Sequence, residues 1–285
     1  MSLSIRLARY EDREAACAAE GKAIRGLTYL NDMWDEFYRD QSGLLLVGEY
    51  SEAGQSVVVA VGKYTLLPDH SAWLETLRVD PAYQGRGIGK AFYERFLQHA
   101  EFQGVQALRM YTGTSNKVSK GLAERYGFRL EAAYRGASWN VPADYTPQAG
   151  CEHGFVRLGP TAAVAQLLPL VSAWDGHVVM NRTFYPANTA IFAAMAREGK
   201  VYANAESGSL CILGHRFLPE RGLHLALLAG DEDAVLRFAK DETVRRGLPK
   251  VTVNFPPSNS DMQKRIVDHG FELEAGDCIV MGRHS

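Results

Sequence analysis

Apolar positions along the chain follow two periods. Alternating or β-rich runs at residues 5–7, 44–49, 57–64, 72–79, 107–111 and 129–139 predict strands. Ile88, Ala91, Phe92, Phe96 and Ala100 recur at helical spacing, as do Val118, Leu122 and Tyr126. The order is a set of antiparallel-looking strands followed by strand, helix, strand, helix, strand. That order predicts an α/β fold, in the α+β sense of a mixed central sheet with helices packed on it.

The same order recurs in the second half. Ser115-Asn116 precedes Gly127-Phe128-Arg129-Leu130, and 143 positions later Ser258-Asn259 precedes Gly270-Phe271-Glu272-Leu273. The same offset carries the β-rich run 107–111 onto 250–254 and the helix from Ile88 onto one from Asp231. Near the starts, Ile5-Arg6-Leu7 is echoed by Val156-Arg157-Leu158. A tandem duplication is expected, with domains at 1–141 and 154–285. The stretch between them, 142–153, holds Pro142, Pro147 and Gly150 and reads as a linker.

Composition narrows the function. The 285 residues are 46% hydrophobic and 22% charged with a net charge of −2, so no global electrostatic attraction to nucleic acid is expected. No apolar run approaches the roughly 20 residues a bilayer crossing needs, and the first residues lack the apolar segment of a secretory signal. A cytoplasmic protein is expected, as a monomer or homodimer. The cysteines at 17, 151, 211 and 278 form no CxxC pair, and Cys151 with His153 has no second ligand pair. Unpaired thiols and no metal are expected.

The chemistry concentrates in residues 74–90. A strand ends at Val79, Asp80-Pro81 starts a turn, and Gln84-Gly85-Arg86-Gly87-Ile88-Gly89-Lys90 leads into a helix. Glycines let backbone N–H groups approach a ligand, and the helix N-terminus adds unpaired donors and a positive dipole end. Together they suit a phosphate or diphosphate, with Arg86 and Lys90 adding charge. A Walker A loop would need Gly at 84 and Ser or Thr at 91, where this chain has Gln84 and Ala91. Glycines at 85, 87 and 89 do not match GxGxxG either.

Gln84-x-x-Gly87-x-Gly89 after Val79-Asp80-Pro81 resembles the acyl-CoA loop of the GNAT acetyltransferases, and Asn116 with Leu122 and Gly127-Phe128 resembles that family's next motif. The likeness covers roughly residues 4–140 in element order. It implies acetyl-CoA as cosubstrate, held through Leu77, Arg78 and Val79 along the pantetheine arm. Gln84, Gly85, Arg86, Gly87, Ile88, Gly89 and Lys90 would take the diphosphate, and Asn116 would lie near the thiol. It also implies a strand that splays from its neighbour, a catalytic domain at 1–141 and a degenerate GNAT-like domain at 154–285.

Amine acylation by a thioester needs a neutral amine, close approach and a stabilised oxyanion. Glu75 is the expected base. Strict alternation would put Glu75, Leu77 and Val79 on one face and Thr76 and Arg78 on the other. A general acid is less legible. The resemblance implies a tyrosine seven residues after Asn116, but Ala123 stands there; Tyr126, about one turn on, is the candidate, with Tyr111 as another. Tyr29, with Trp34 and Phe37, lies where the family places helices over the acceptor, and residues 26–30 with 75–79 distantly resemble histidine N-acetyltransferases. The expected activity is acetyl transfer to a primary amine of a small molecule such as an amino acid. Alternatives are a non-catalytic acyl-CoA-binding or regulatory protein and a protein lysine or N-terminal acetyltransferase.

The second copy lacks this loop. Leu223–Leu228 aligns with Leu74–Val79, but only Ala229-Gly230 separate it from an acidic helix start, Asp231-Glu232-Asp233. That start suits capping and repels phosphate, so the second copy is expected not to hold CoA in this manner.

Overall fold

The computed structural model describes residues 2–24, 28–52, 55–147 and 154–284. Gly26, Leu27 and the part of the expected linker at 148–153, with Cys151 and His153, lie outside them. The chain forms two compact units, one of Met1–Met110, Val118–Arg129 and Met281–Ser285, the other of Tyr111–Lys117 and Leu130–Val280.

The elements of the first half are β1 (Ser2–Leu7), α1 (Arg13–Ala23), α2 (Leu30–Arg39), β2 (Leu44–Glu52), β3 (Gln55–Leu66), β4 (Ala72–Val79), α3 (Ile88–Gln103), β5 (Ala107–Gly113), α4 (Lys117–Arg125) and β6 (Arg129–Asn140). In the first unit β1 to β4 form an antiparallel meander, and β5 joins β4 in parallel. Helix α1 has no strong apolar period, because its small residues are nearly all alanine; it forms on alanine's propensity and buries Ala16 and Ala19. Helix α2 buries Leu30, Met33, Trp34 and Phe37 at i, i+3, i+4 and i+7.

Helices cover both faces of this sheet. Neighbours Gly62 and Lys63 on β3 face opposite ways. A Cβ at Gly62 would stand 2.8 Å from Phe92 of α3, so only glycine lets α3 sit this close. On the other face the Lys63 ammonium lies 5.7 Å from the Phe37 ring of α2 and pairs with Asp40. This pair is held by burial on one side and by the Tyr64 carbonyl, which accepts from Lys63 at 2.8 Å.

The second half contains β7 (Val156–Arg157), α5 (Pro160–Leu167), β8 (His177–Met180), β9 (Thr183–Pro186), α6 (Thr189–Arg197), β10 (Val201–Asn204), β11 (Ser209–Gly214), β12 (Leu223–Ala229), α7 (Glu232–Arg245), β13 (Lys250–Phe255), α8 (Ser260–Asp268), β14 (Glu272–Leu273) and β15 (Cys278–His284). The second unit's sheet runs β6-β13-β12-β11-β10-β7, with β12 and β13 parallel and the other neighbours antiparallel. Residues 130–141, expected in the first domain, fall in this unit because β6 pairs with β13 from Lys250↔Asn140 to Phe255↔Arg135. The strand–helix–strand–helix order of β4, α3, β5 and α4 recurs as β12, α7, β13 and α8.

The helix starts differ in the way the sequence anticipates. At α7, Asp231 accepts from the Ala234 N–H at 3.0 Å, so its own carboxylate closes the helix N-terminus. A Cβ at Gly230 would meet the Gly208 carbonyl at 2.2 Å, which leaves no space for a ligand beside the turn.

Candidate active site

Strand β4 carries the candidate base and leads into the glycine loop. It pairs with β5 only at Ala72↔Leu108 and Trp73↔Arg109. From Leu74 onward, among the described residues, β4 is paired with β3 alone. The backbone of Leu77, Arg78 and Val79 is therefore presented along an open edge, as a splayed pair requires.

The pairing of β3 with β4 also contains a break. Lys63 stands opposite Glu75, whereas Val61 stands opposite Arg78, so Thr76 and Leu77 together face Gly62. This is a β-bulge, and Thr76 adopts φ +59° within it. The bulge corrects the expectation of strict alternation. Arg78, opposite Val61, now shares a face with Glu75, opposite Lys63; Val79, opposite Ala60, turns to the other face. Glu75 is buried at 8% exposure, and its carboxylate accepts from the Thr65 hydroxyl at 2.6 Å. Thr65 went unread in the sequence; the turn at 67–71 between two long strands was the signal that could have brought it across from Glu75.

Beyond Val79 the chain is tied down and then opened. Asp80 accepts from the Ala82 N–H at 3.0 Å and from Lys22 at 2.7 Å. The Gln84 side-chain amide donates to the Val79 carbonyl at 3.1 Å, fastening the loop to the end of β4. Gly85 and Gly87 sit at φ +78° and +82°, and a Cβ added to either would meet nothing within 4 Å. Gly87 is the N-cap of α3 and supplies no side-chain cap, so the first N–H groups of α3 at Ile88, Gly89 and Lys90 face the open loop. Gly89 serves packing instead: its Cβ would lie 2.9 Å from Leu122. The Arg86 guanidinium lies 5.1 Å from each of the Tyr50 and Tyr83 rings, a cation–π clamp the sequence did not reveal. Lys90 is exposed beside it.

Burial raises the Asp80 carboxyl, but the bonds from Lys22 and the Ala82 N–H outweigh it and hold the group below the ordinary aspartate range. A depressed carboxyl stabilises the fold fully above its unfolded value near about 3.9 and loses that contribution as pH falls through the folded value. Asp80→Asn should therefore flatten the acid limb of a Tm-against-pH curve below about pH 4. An acid limb parallel to that of the wild type would remove Asp80 from this role.

The other sequence candidates have these places. The Tyr29 hydroxyl is 2.6 Å from Thr76 Oγ1, at the bulge. The Tyr126 hydroxyl donates toward the Lys90 carbonyl at 3.1 Å and toward Glu94 at 3.0 Å, and its ring stacks on Tyr93. Burial, and then Glu94, raise its pKa. Tyr126 is thus built into the contact of α3 with the end of α4, and its bonds give no direction toward Glu75. Asn116 and Tyr111 belong to the second unit; the Asn116 N–H donates to the Gly113 carbonyl at 3.0 Å, and Tyr111 lies against Phe184 at 5.6 Å. Among the described residues no group of three or more His, Cys, Asp or Glu is placed to hold a metal ion, Cys17, Cys211 and Cys278 are free thiols, and no helix is long and apolar enough to cross a membrane.

A family model described as Acetyltransferase (GNAT) family matches residues 10–128, which include β4, the loop and α3. The ribosomal protein bS18-alanine N-acetyltransferase of Escherichia coli strain K12 is 31% identical over 104 residues, 36% of this chain and 68% of that protein. The chain belongs to the GNAT acetyltransferase family. It is accordingly an acyltransferase. Solved GNAT folds also match over nearly the whole chain. A GCN5-related N-acetyltransferase from Sphaerobacter thermophilus gives a TM-score of 0.62 at 15% identity, covering 99% of this chain and 95% of that one. A GCN5-related glucosamine N-acetyltransferase region of a fungal multi-domain GH3 β-N-acetylglucosaminidase gives 0.65 at 14% identity, covering 99% of this chain and 38% of that one. For this GNAT chain, the open edge of β4, the glycine turn at Gly85 and Gly87 and the buried carboxylate of Glu75 all fall inside the family match.

Proposed function

We propose that the protein transfers the acetyl group of acetyl-CoA to the primary amine of a small molecule such as an amino acid. The observation that carries the donor assignment is the cradle at Gly85 and Gly87. Its two glycines leave open space beside an uncapped helix N-terminus, with Arg86, between them in sequence, resting against the Tyr50 ring. That space fits a diphosphate, and the edge of β4 at Leu77, Arg78 and Val79, which β5 leaves uncovered and where the Val79 carbonyl accepts from Gln84, fits the amide-bearing pantetheine arm. Oxygen acceptors of the diphosphate would take the N–H groups from Gly85 to Lys90.

In this reading Glu75 accepts a proton from the amine, directly or through water. The amine nitrogen then forms a C–N bond to the thioester carbonyl carbon, and negative charge collects on the carbonyl oxygen. Backbone N–H donors on the free edge of β4 stabilise that oxyanion. The C–S bond breaks, the electron pair leaves with sulfur, and the thiolate takes a proton from water. No covalent intermediate on the protein is required. Tyr126 is not assigned the acid role, because its hydroxyl already donates to Glu94 on α3.

The relative's name supplies a second reading, in which the acceptor is the N-terminal amine of a protein. Both acceptors present a primary α-amine. We further infer that the chain is a tandem of two GNAT-like domains whose second member does not hold CoA, since Asp231 closes its own helix start. The test is a panel of free amino acids, other small amines and alanine-ending peptides, scored by release of free CoA thiol. Turnover with small amines supports the first reading; turnover confined to peptides supports the second. A melting temperature that CoA does not move would remove the donor assignment.

A further inference from the structure

We propose that Tyr29 is a positioning residue, whose hydroxyl holds Thr76 in the β4 bulge and thereby aims Glu75 and exposes the Leu77 N–H. The proposal rests on the reading of Glu75 as the base. Thr76 is β-branched and has φ +59°, a backbone state that such residues avoid, so the surroundings must hold it there. At 4% exposure it has little access to water. Its hydroxyl instead meets Tyr29 Oη at 2.6 Å.

Tyr29 is itself fixed from behind. It stands at the N-cap of α2, and the carboxylate of Glu20 on α1 accepts from the Tyr29 N–H at 3.3 Å and the Leu30 N–H at 3.0 Å. Glu20 is only 1% exposed, so this anchor is rigid. A chain of bonds therefore runs from Glu20 through the head of α2 and the Tyr29 ring to Thr76.

The bulge matters because of register. With Glu75 opposite Lys63, an unbulged strand would place Thr76 opposite Gly62 and Leu77 opposite Val61, and every residue from Leu77 onward would exchange faces. Arg78 would leave the face of Glu75, and the extra backbone N–H at the bulge would be drawn into the ladder with β3. Loosening Thr76 thus disturbs the residue next to the base and the free edge of β4 together. The open cradle at 85 and 87 would be untouched.

The test compares Tyr29→Phe, Thr76→Val, their double variant and Thr76→Ser in the full-length protein. Tyr29→Phe and Thr76→Val should each lower kcat by about ten- to a hundredfold, with KM for the amine unchanged. The double variant should be no worse than the poorer single one, because both remove one bond, and Thr76→Ser should keep the wild-type rate. A Tyr29→Phe variant that raises KM for the amine and leaves kcat intact would overturn the proposal in favour of direct acceptor contact. Amide exchange followed by NMR supplies a readout without turnover: Tyr29→Phe should slow exchange at Leu77 by about tenfold or more as its N–H is drawn into the ladder, and unchanged exchange there would also overturn it. Because that arm needs no acceptor, failure of the acetyl-transfer reading would be distinguished from failure of this one.

Discussion

Gly87→Glu is expected to abolish the thermal stabilisation that CoA gives the wild-type protein. Gly87 holds φ +82° at the start of α3, where any L side chain costs about 1–2 kcal/mol. The new carboxylate would also reach the open space beside the first N–H groups of the helix, take them for itself and repel a diphosphate. At a CoA concentration of about 100 times Kd, ligand linkage stabilises the native state by about 2.7 kcal/mol. At about 2–4 °C per kcal/mol for a chain of this order, the wild type should gain roughly 5–10 °C and the variant nothing. Gly87→Ala is the control. It carries the same backbone strain without charge, and since nothing lies within 4 Å of its Cβ it should retain part of the shift. A glutamate variant that still responds fully to CoA would mean that the diphosphate lies elsewhere.

Glu75→Gln should lower kcat by about 10²–10⁴-fold, the range for removing a general base, while the CoA-induced shift in Tm stays at its wild-type size. The substitution keeps the shape, and the amide oxygen can still accept from Thr65, so misfolding is an unlikely confounder to begin with and CoA binding checks it directly. Rates within about threefold of wild type across the pH range would show that the amine loses its proton to another group.

The turn of the loop was readable because it takes backbone states that only glycine adopts freely. Gly85 and Gly87 both lie at positive φ, and a strand before them and a helix after them leave one geometry. The recurring order of elements was legible because parallel pairs joined by helices impose one, and that order is seen in β12, α7, β13 and α8. The bulge was not legible. Threonine favours ordinary strands, so nothing local announces that Thr76 has left one, and the phase of every later side chain was misassigned. The β8–β9 hairpin was missed likewise: Asn181 and Arg182 both have positive φ at its turn, but arginine is no turn signal. Tyr126 shows the third kind of gap. Its helical spacing from Val118 and Leu122 was visible, but the Glu94 that captures its hydroxyl lies on another helix and is known only once the fold is formed.

Arg86 is exposed, but its guanidinium rests against the Tyr50 and Tyr83 rings, which themselves meet edge to face. An arginine side chain has about 2 kcal/mol of rotamer freedom to lose, and here part of that loss falls on folding rather than on association. The two rings therefore contribute to affinity for an anion that neither of them touches, by keeping the cation ready in one orientation.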